Sequence, residues 1–398
     1  MRSSSGSPGL VLREVCGVSS SLRLRALDSW FGGSDFVDKI NRVVVRGTNW
    51  VGDAVMTIPA LRELRRLLPD AYITLATSDW AKELFSQADY LDDLLIQDNR
   101  SVFKNSRQWR KHNFDLAVIF PNSFASALVP FLARVPFRIG YSSDRRKVLL
   151  THAVPLPEWR SSKHEIFYYL NIVSEVGRLL GSESVVHDPD ISLQISEQSR
   201  QLGRELLHAT GCNDAQRVIA LCPGSINSRA KRWPAERYAK LADDLIETLH
   251  AQVVLVGSKE ELDVSVEVGR HMRNEPIVMT GKTTLAQAVA VLSNVDLLIT
   301  NDTGPAHIAS SLGRPTLVIV GPTNPLTTRP YSATSEIVRH PPDCAPCMLR
   351  DCPIDHRCMT AITPEAVFER ACVMLSDKLQ YVAPQNNDKL ACRTTTIR

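Results

Sequence analysis

Four stretches of this sequence combine residue types and spacing suited to chemistry. The first, Arg46-Gly47-Thr48-Asn49-Trp50-Val51-Gly52-Asp53, has two glycines in a short loop and ends on a carboxylate. Glycine permits tight turns, and Asp53 falls where a following helix would begin. A carboxylate there can line a cleft, or it can simply cap the helix by accepting first-turn N–H bonds. Spacing alone leaves both uses open. The second stretch, Asn301-Asp302-Thr303-Gly304-Pro305-Ala306-His307, follows an apolar run and opens a helix. The N–H groups of Thr303, Gly304 and Ala306 can converge there on one anion. Thr303 adds a hydroxyl, and the positive end of the helix dipole favours a phosphate or pyrophosphate in front of it. Ordinary helix capping is the competing use of the same residues.

The third stretch joins Pro223-Gly224-Ser225 to Lys231-Arg232-Trp233-Pro234. A loop of this kind can swing Lys231 or Arg232 onto the same diphosphate, although an exposed Lys-Arg pair is also an ordinary solvated surface. The fourth is the cysteine run Cys344-x2-Cys347-x4-Cys352-x5-Cys358, with His356 beside it. It is compact enough for a zinc or iron–sulfur knot. Its spacing does not repeat a Cys-x-x-Cys pair, so packed or redox-labile thiols are an equal alternative.

Several familiar motifs are excluded. Gly47 and Gly52 alone do not make Gly-x-Gly-x-x-Gly, so a nicotinamide dinucleotide is disfavoured. Gly281-Lys282-Thr283 lacks the earlier glycine of a Walker loop, because Pro276 stands there. Asp188-Pro189-Asp190 looks like a metal-binding Asp-x-Asp, but it sits in a proline-bearing polar stretch beginning at His187 and not after a strand.

The elements that must hold these stretches follow a βαβ rhythm. From Asn41 onward, short β-branched runs alternate with helix-period segments, the pattern of parallel sheets. Strands are expected at Arg42–Arg46, Tyr72–Ala76, Leu94–Gln97, Asp115–Phe120 and Arg138–Tyr141. A second series is expected at Arg217–Cys222, Gln252–Gly257, Pro276–Met279, Asp296–Thr300 and Thr316–Val320. A helix from Pro234 to about His250 places Tyr238, Leu241, Leu245 and Leu249 on one core-facing stripe. The alternation happens twice, which predicts an α/β protein of two doubly wound, Rossmann-like domains, residues 41–200 and 201–380, with a boundary near 190–212. Residues 1–40 and 381–398 are expected to be unstructured, the first being an extension, a misassigned start, a transit peptide or a surface anchor. In open α/β sheets, ligands bind at the strand carboxyl ends. All three loop motifs fall there.

Of the 398 residues, 44% are hydrophobic and 22% charged, as in ordinary globular proteins, and a net charge of +3 does not call for nucleic acid. No apolar run is long enough for a transmembrane segment. Nine cysteines, an odd number with no secretory signal, point to reduced thiols and a cytoplasmic site of action.

Taken together, Gly52-Asp53-Ala54-Val55-Met56-Thr57-Ile58-Pro59-Ala60-Leu61, Lys231-Arg232-Trp233-Pro234 and Asn301 to His307 resemble, in order and separation, the signature segments of the bacterial heptosyltransferases, glycosyltransferase family 9. The likeness runs from about Asn41 to Ser376, and the segment ending Pro353-Ile354-Asp355-His356-Arg357-Cys358-Met359 is similar to that of many members. The resemblance implies a GT-B fold whose two domains face a central cleft, with acceptor on the N-terminal side and ADP-heptose on the C-terminal side. It also implies inversion at the anomeric carbon without a required metal or other cofactor. It makes Asp53 the general base and puts Lys231 on the donor phosphates. Thr303, Gly304, Ala306 and Ser225 complete a cradle, Asp302 faces the sugar, Glu260 or Glu261 holds the ribose, and Thr283 lies on the donor side. The implied acceptor is the first heptose of the lipopolysaccharide inner core, on a phosphorylated glycolipid at the inner face of the cytoplasmic membrane. The enzyme would be peripheral there through that substrate, with Arg138, Arg145, Arg146 and Lys147 as basic contacts. Other acceptors or nucleotide sugars on the same fold stay open, as do a non-catalytic sugar-nucleotide binder and a redox protein built on the cysteines.

Overall fold

The computed structural model describes residues 40–98, 100–182, 186, 188–377 and the backbone of 394–396. The expected extension before Ile40, most of the expected C-terminal tail and His187 lie outside the described residues. The first half runs β1 (Arg42–Arg46), α1 (Val51–Met56), α2 (Ile58–Leu67), β2 (Tyr72–Thr77), α3 (Asp79–Phe85), β3 (Asp93–Ile96), α4 (Val102–His112), β4 (Leu116–Ile119), α5 (Phe124–Ala133), β5 (Phe137–Tyr141), β6 (His152–Val154) and α6 (Glu165–Leu179). Helix α7 (Glu197–Ala209) leads to β7 (Val218–Cys222), α8 (Ala235–Leu249), β8 (Gln252–Leu255), α9 (Leu262–His271), β9 (Ile277–Val278) and α10 (Leu285–Leu292). Then come β10 (Leu297–Asn301), α11 (Gly304–Ser311), β11 (Thr316–Val320), α12 (Pro325–Thr328), β12 (Ser335–Arg339), α13 (Arg357–Thr360), α14 (Pro364–Asp377) and β13 (Thr394–Thr396).

The first sheet has strand order β3-β2-β1-β4-β5-β6, with every pairing parallel. The second has order β13-β12-β11-β10-β7-β8-β9, again all parallel. Central strands such as Val218–Cys222 are buried along their whole length, as helices on both faces of a parallel sheet require. In each sheet the winding reverses beside the first strand, between β1 and β4 and between β7 and β10, which opens a crevice at the carboxyl ends.

All ten strands expected from sequence form, within a residue or two of the expected bounds. Strands β6, β12 and β13 were not anticipated. In β12, Ser335-Glu336-Ile337-Val338-Arg339 reads as half polar, yet Glu336 is buried and ion-paired with Arg370 of α14. That pairing permits a charge inside a sheet and comes from a helix far along the chain. In the segment expected to be an unstructured tail, residues 394–396 instead pair with β12 as a parallel edge strand. Pro234 precedes α8 as its cap and is not in its first turn, and the helix ends at His250 in a left-handed conformation. Tyr238, Leu241 and Leu245 are fully buried, with Leu249 packed at the margin.

The halves are tied together by packing. One apolar cluster runs from Val43 and Ile58 of the first half to Ala220, Leu298 and Ile308 of the second. Helix α7 lies against α10 so closely that a Cβ on Gly203 would fall 2.1 Å from the Ala290 carbonyl oxygen. The lighter side of α7 therefore has to be glycine. Gly203→Ala is expected to lower stability by about 1–3 kcal/mol, the usual cost of overpacking a tight contact. Urea unfolding measures it, and an unchanged midpoint would show that the two helices can separate freely.

Candidate functional site

Each signature loop sits at the carboxyl end of a strand beside a crevice, and two of them meet. Helix α1, carrying Asp53, abuts α11, which opens the Asn301-to-His307 segment. A Cβ built on Gly52 would lie 2.8 Å from His307 Cδ2, and one on Gly304 would lie 3.0 Å from Val51 Cβ. The approach leaves no room for a Cβ on Gly52 and only a tight fit for one on Gly304. The cap position of α1 is Trp50, 53% exposed, and it makes no side-chain cap bond. Among the described residues the Asp53 carboxylate has no hydrogen-bond partner, so the capping use is not realised. Burial pushes its pKa up to about 6, nearby Lys231 pulls it down and Asp302 adds to the rise.

Lys231 Nζ donates to the Asp302 carbonyl at 3.0 Å and pairs with Asp302 Oδ2 at 3.2 Å. The same carboxylate oxygen accepts from Thr323 Oγ1 at 2.6 Å. Asp302 is thus buried and engaged with Lys231 and Thr323, which the sequence reading of it as a free sugar contact did not foresee. Lys231 rides on a short turn, Arg229–Lys231, held from the cysteine-bearing segment. Ala230 N donates to Arg350 O at 2.9 Å, His356 Nε2 to Ala230 O at 2.6 Å, and Arg229 pairs with Asp351 at 2.6 Å.

Asn301, fully buried at the end of β10, binds the two sides of the second crevice. Its Nδ2 donates to Pro223 O at 2.7 Å and Gly224 O at 3.1 Å, while its Oδ1 accepts from Trp233 N at 3.1 Å and Tyr238 OH at 3.2 Å. One amide therefore fixes the loops carrying Ser225 and Lys231 against α11. Thr303 precedes α11 without capping it, so its hydroxyl faces Thr300 Oγ1 at 3.3 Å, and Gly304, as first helical residue, has an N–H without an intrahelical acceptor. Ala306 differs from expectation, because its N–H is taken by Thr303 O at 3.1 Å. Ser225 is buried after β7, and its carbonyl accepts from Arg232 Nε at 3.1 Å.

The structure separates the two glutamates. Glu260 is exposed, whereas Glu261 is buried, caps its own turn by accepting from Ser258 N at 2.9 Å, and presses on Gly224, where a Cβ would lie 2.3 Å from its Oε1. Thr283 is half-buried, and its neighbour Thr284, not Thr283, caps α10. The four basic candidates divide as well. Arg138, at the amino end of β5, donates to Leu149 O at 2.7 Å and to Pro136 O at 3.3 Å. Arg146 is fully buried and donates to Tyr141 O at 2.8 Å and Ser126 Oγ at 2.9 Å. Both donate to loop carbonyls, Arg146 from full burial and Arg138 from a half-buried position. Arg145 and Lys147 are exposed. The cysteines gather around buried Cys358, whose thiol is raised to about 11 by burial and then by Cys347, Cys352 and Cys344. All four are free thiols, and among the described residues no group of three His, Cys, Asp or Glu is arranged to hold a metal ion.

Four residues that sequence reasoning passed over complete the site. His307 is buried with Nδ1 unpartnered, and burial lowers its pKa to about 4, so it is neutral at pH 7. His164, likewise pushed to about 4 by burial, caps α6 and donates Nε2 to Arg329 O at 2.6 Å, a bond between the halves. Glu165 is a second carboxylate with a raised pKa, chiefly from burial and in part from Asp53. Arg46, at the end of β1, is buried and holds Asn49 Oδ1 at 3.0 Å. His307 and Arg46 stand inside the signature stretches, whereas His164 and Glu165 carry no local signal.

The charge arrangement predicts a titration. Carbon-detected NMR should find the Asp53 carboxyl titrating near pH 6, and Lys231→Met should move it higher by removing the cation that opposes the shift. The linkage has a definite sign: a carboxyl raised above its unfolded value costs stability increasingly between about pH 4 and 6, and in full above. Asp53→Asn should therefore raise the unfolding midpoint more at pH 8 than at pH 4. Equal changes at both values would mean Asp53 is solvated.

A sequence profile of glycosyltransferase family 9 (heptosyltransferase) matches residues 102–357. The lipooligosaccharide heptosyltransferase 2 of Haemophilus influenzae is 28% identical over 312 residues, 75% of this chain and 88% of its own length. The solved Escherichia coli ADP-heptose lipopolysaccharide heptosyltransferase II superposes with a TM-score of 0.72 at 26% identity, covering 85% of this chain and all of that one. The family 9 glycosyl transferase of Veillonella parvula gives 0.75 at 25% identity, covering 85% and 98%. The two facing doubly wound sheets are thus the GT-B architecture. With the profile spanning more than half its length and both signature loops converging on one cleft, the chain belongs to glycosyltransferase family 9, the heptosyltransferases.

Proposed function

We propose that this chain moves L-glycero-D-manno-heptose from ADP-heptose to the first heptose of the lipopolysaccharide inner core, with inversion. The observation that carries the chemistry is a carboxylate without a hydrogen-bond partner, Asp53, coupled to Lys231 and packed beside the opening of α11. The names of the similar proteins, lipooligosaccharide heptosyltransferase 2 and ADP-heptose lipopolysaccharide heptosyltransferase II, support the choice of sugar and acceptor.

In this reading Asp53 accepts the proton of the acceptor hydroxyl as its oxygen attacks the anomeric carbon. The bond from that carbon to the diphosphate oxygen breaks on the opposite face, and ADP leaves with the electron pair. Lys231, the Thr303 hydroxyl and the Gly304 N–H neutralise the leaving diphosphate, the kind of preorganised electrostatics that usually dominates such steps. Because a cation and a helix N-terminus supply that charge, the reaction needs no metal. Asp302 orients Lys231 and keeps its other oxygen for a sugar hydroxyl. Glu261, beside Gly224, takes the ribose, with Ser225 and Thr283 flanking the donor. The N-terminal half holds the acceptor, and Arg145 and Lys147 are the exposed cations for its phosphates. The acceptor keeps the enzyme at the cytoplasmic face of the inner membrane; no helix among the described residues is long and apolar enough to cross one.

Purified protein is incubated with ADP-heptose and heptosyl-Kdo2-lipid A, with and without EDTA, following ADP release and product mass. A gain of one heptose that survives chelation is expected, and Asp53→Asn should lower kcat by about 10²–10⁴-fold. Donor binding without transfer to this acceptor would refute the acceptor assignment. Near-normal turnover by Asp53→Asn would refute the base.

A further inference from the structure

Helix α4 has two unlike faces. Asn105, Ser106 and Trp109 are buried toward α5, while Phe103, Lys104, Arg107, Arg110 and Lys111 face outward. Phe103 is 73% exposed, unusual for an aromatic side chain on a soluble helix. The helix carries no acidic residue, and with Arg100 just before it five cations stand against Asp98. Asp98 is paired with Lys104 at 3.3 Å, which leaves Arg100, Arg107, Arg110 and Lys111 outside that pair.

An open cavity of about 710 Å³ lies at the start of this helix, bounded by Gln97, Phe103, Lys104, Arg107 and Lys111. Gln97 is 5% exposed, and neither polar atom of its amide has a hydrogen-bond partner. A buried amide left unpaired is costly, so a site of this kind points to a polar ligand that completes it. Gln97 directly follows β3, the edge strand two places from β1 in the same parallel sheet, so the cavity lies at the same carboxyl-terminal end of the sheet as Asp53.

We propose that α4 and its cavity form a docking surface for anionic phospholipid at a bilayer surface. Phe103 enters the boundary between headgroups and acyl chains, and Arg100, Arg107 and Lys111 lie on lipid phosphates. A headgroup oxygen meets the Gln97 amide. An exposed aromatic ringed by cations suits an interface that is apolar below and negatively charged above. The contact is with bilayer lipid itself, not with the sugar acceptor, and it rests on the proposed function only for the purpose docking serves: it turns the cleft toward a membrane-held substrate.

The test is sedimentation of the full chain with lipopolysaccharide-free vesicles of phosphatidylcholine, or of phosphatidylcholine mixed with phosphatidylglycerol. Binding is expected on the anionic vesicles alone and should weaken with salt. The triple variant Arg100→Ala, Arg107→Ala, Lys111→Ala, which keeps the Lys104–Asp98 pair, should bind about 100-fold more weakly, at about fivefold per cation. Phe103→Ser should bind about tenfold more weakly. All these side chains are exposed, so the fold should be unaffected, and heptose transfer to detergent-dispersed acceptor should be unchanged. The proposal is overturned if the full chain ignores phosphatidylglycerol, or if the triple variant binds as tightly as the parent. It is equally overturned if the variants lose transfer to dispersed acceptor, which would make the face part of the acceptor site. Failure of the heptosyltransferase assignment would leave the vesicle result standing.

Discussion

The close approach of α1 and α11 is the constraint on which the site depends. Two helices from different halves of the chain come together where Gly52 has no room for a Cβ and Gly304 has little. This contact sets Asp53, from the first sheet, within electrostatic reach of Lys231 and Asp302, from the second. In the proposed reaction a proton acceptor and a leaving-group cation are useful only at a fixed separation. Here the separation is set by backbone packing, which is stiffer than side-chain reach. The neutral, buried ring of His307 is the spacer, and its low pKa means no charge changes in that wedge over the physiological range.

Behind this contact lies a layer of support. Asn301 uses its amide hydrogens and oxygen to bind the loop after β7 to the start of α8. The segment around Arg350 and His356 grips the turn that presents Lys231. The cysteine run therefore has a structural consequence whatever its redox chemistry: it belongs to the strap that positions a charged side chain. Arg146 does similar work in the first half, where a buried guanidinium gathers the carbonyls of the loops after β4 and β5. Such a group is costly to bury alone, and the carbonyls offset part of that cost by taking its Nε and Nη1 donors, while Nη2 stays unpartnered.

Much of this was legible in the sequence. Short apolar runs alternating with helical periods announce parallel sheets, because strands covered on both faces must be apolar throughout. The glycines, Pro305 and the carboxylate of the signature loops mark strand-to-helix turns, since those conformations demand particular residue types locally. Hence the fold class, the ten strands and the turns that carry the signature loops were accessible from residue order.

What the tertiary structure decided was how each candidate is spent. Glu260 and Glu261 are adjacent and chemically alike, yet one is solvated and the other pressed on Gly224. Arg145 and Arg146 divide in the same way, as do Ala306, whose N–H is consumed by a turn, and Gly304, whose N–H is not. Strand β12 could not be read because its buried Glu336 is neutralised by Arg370, 34 positions away. Residue type and spacing report what the neighbouring backbone requires. Burial, ion pairing and the pKa of Asp53 depend on groups brought together from distant parts of the chain, and no local pattern records them.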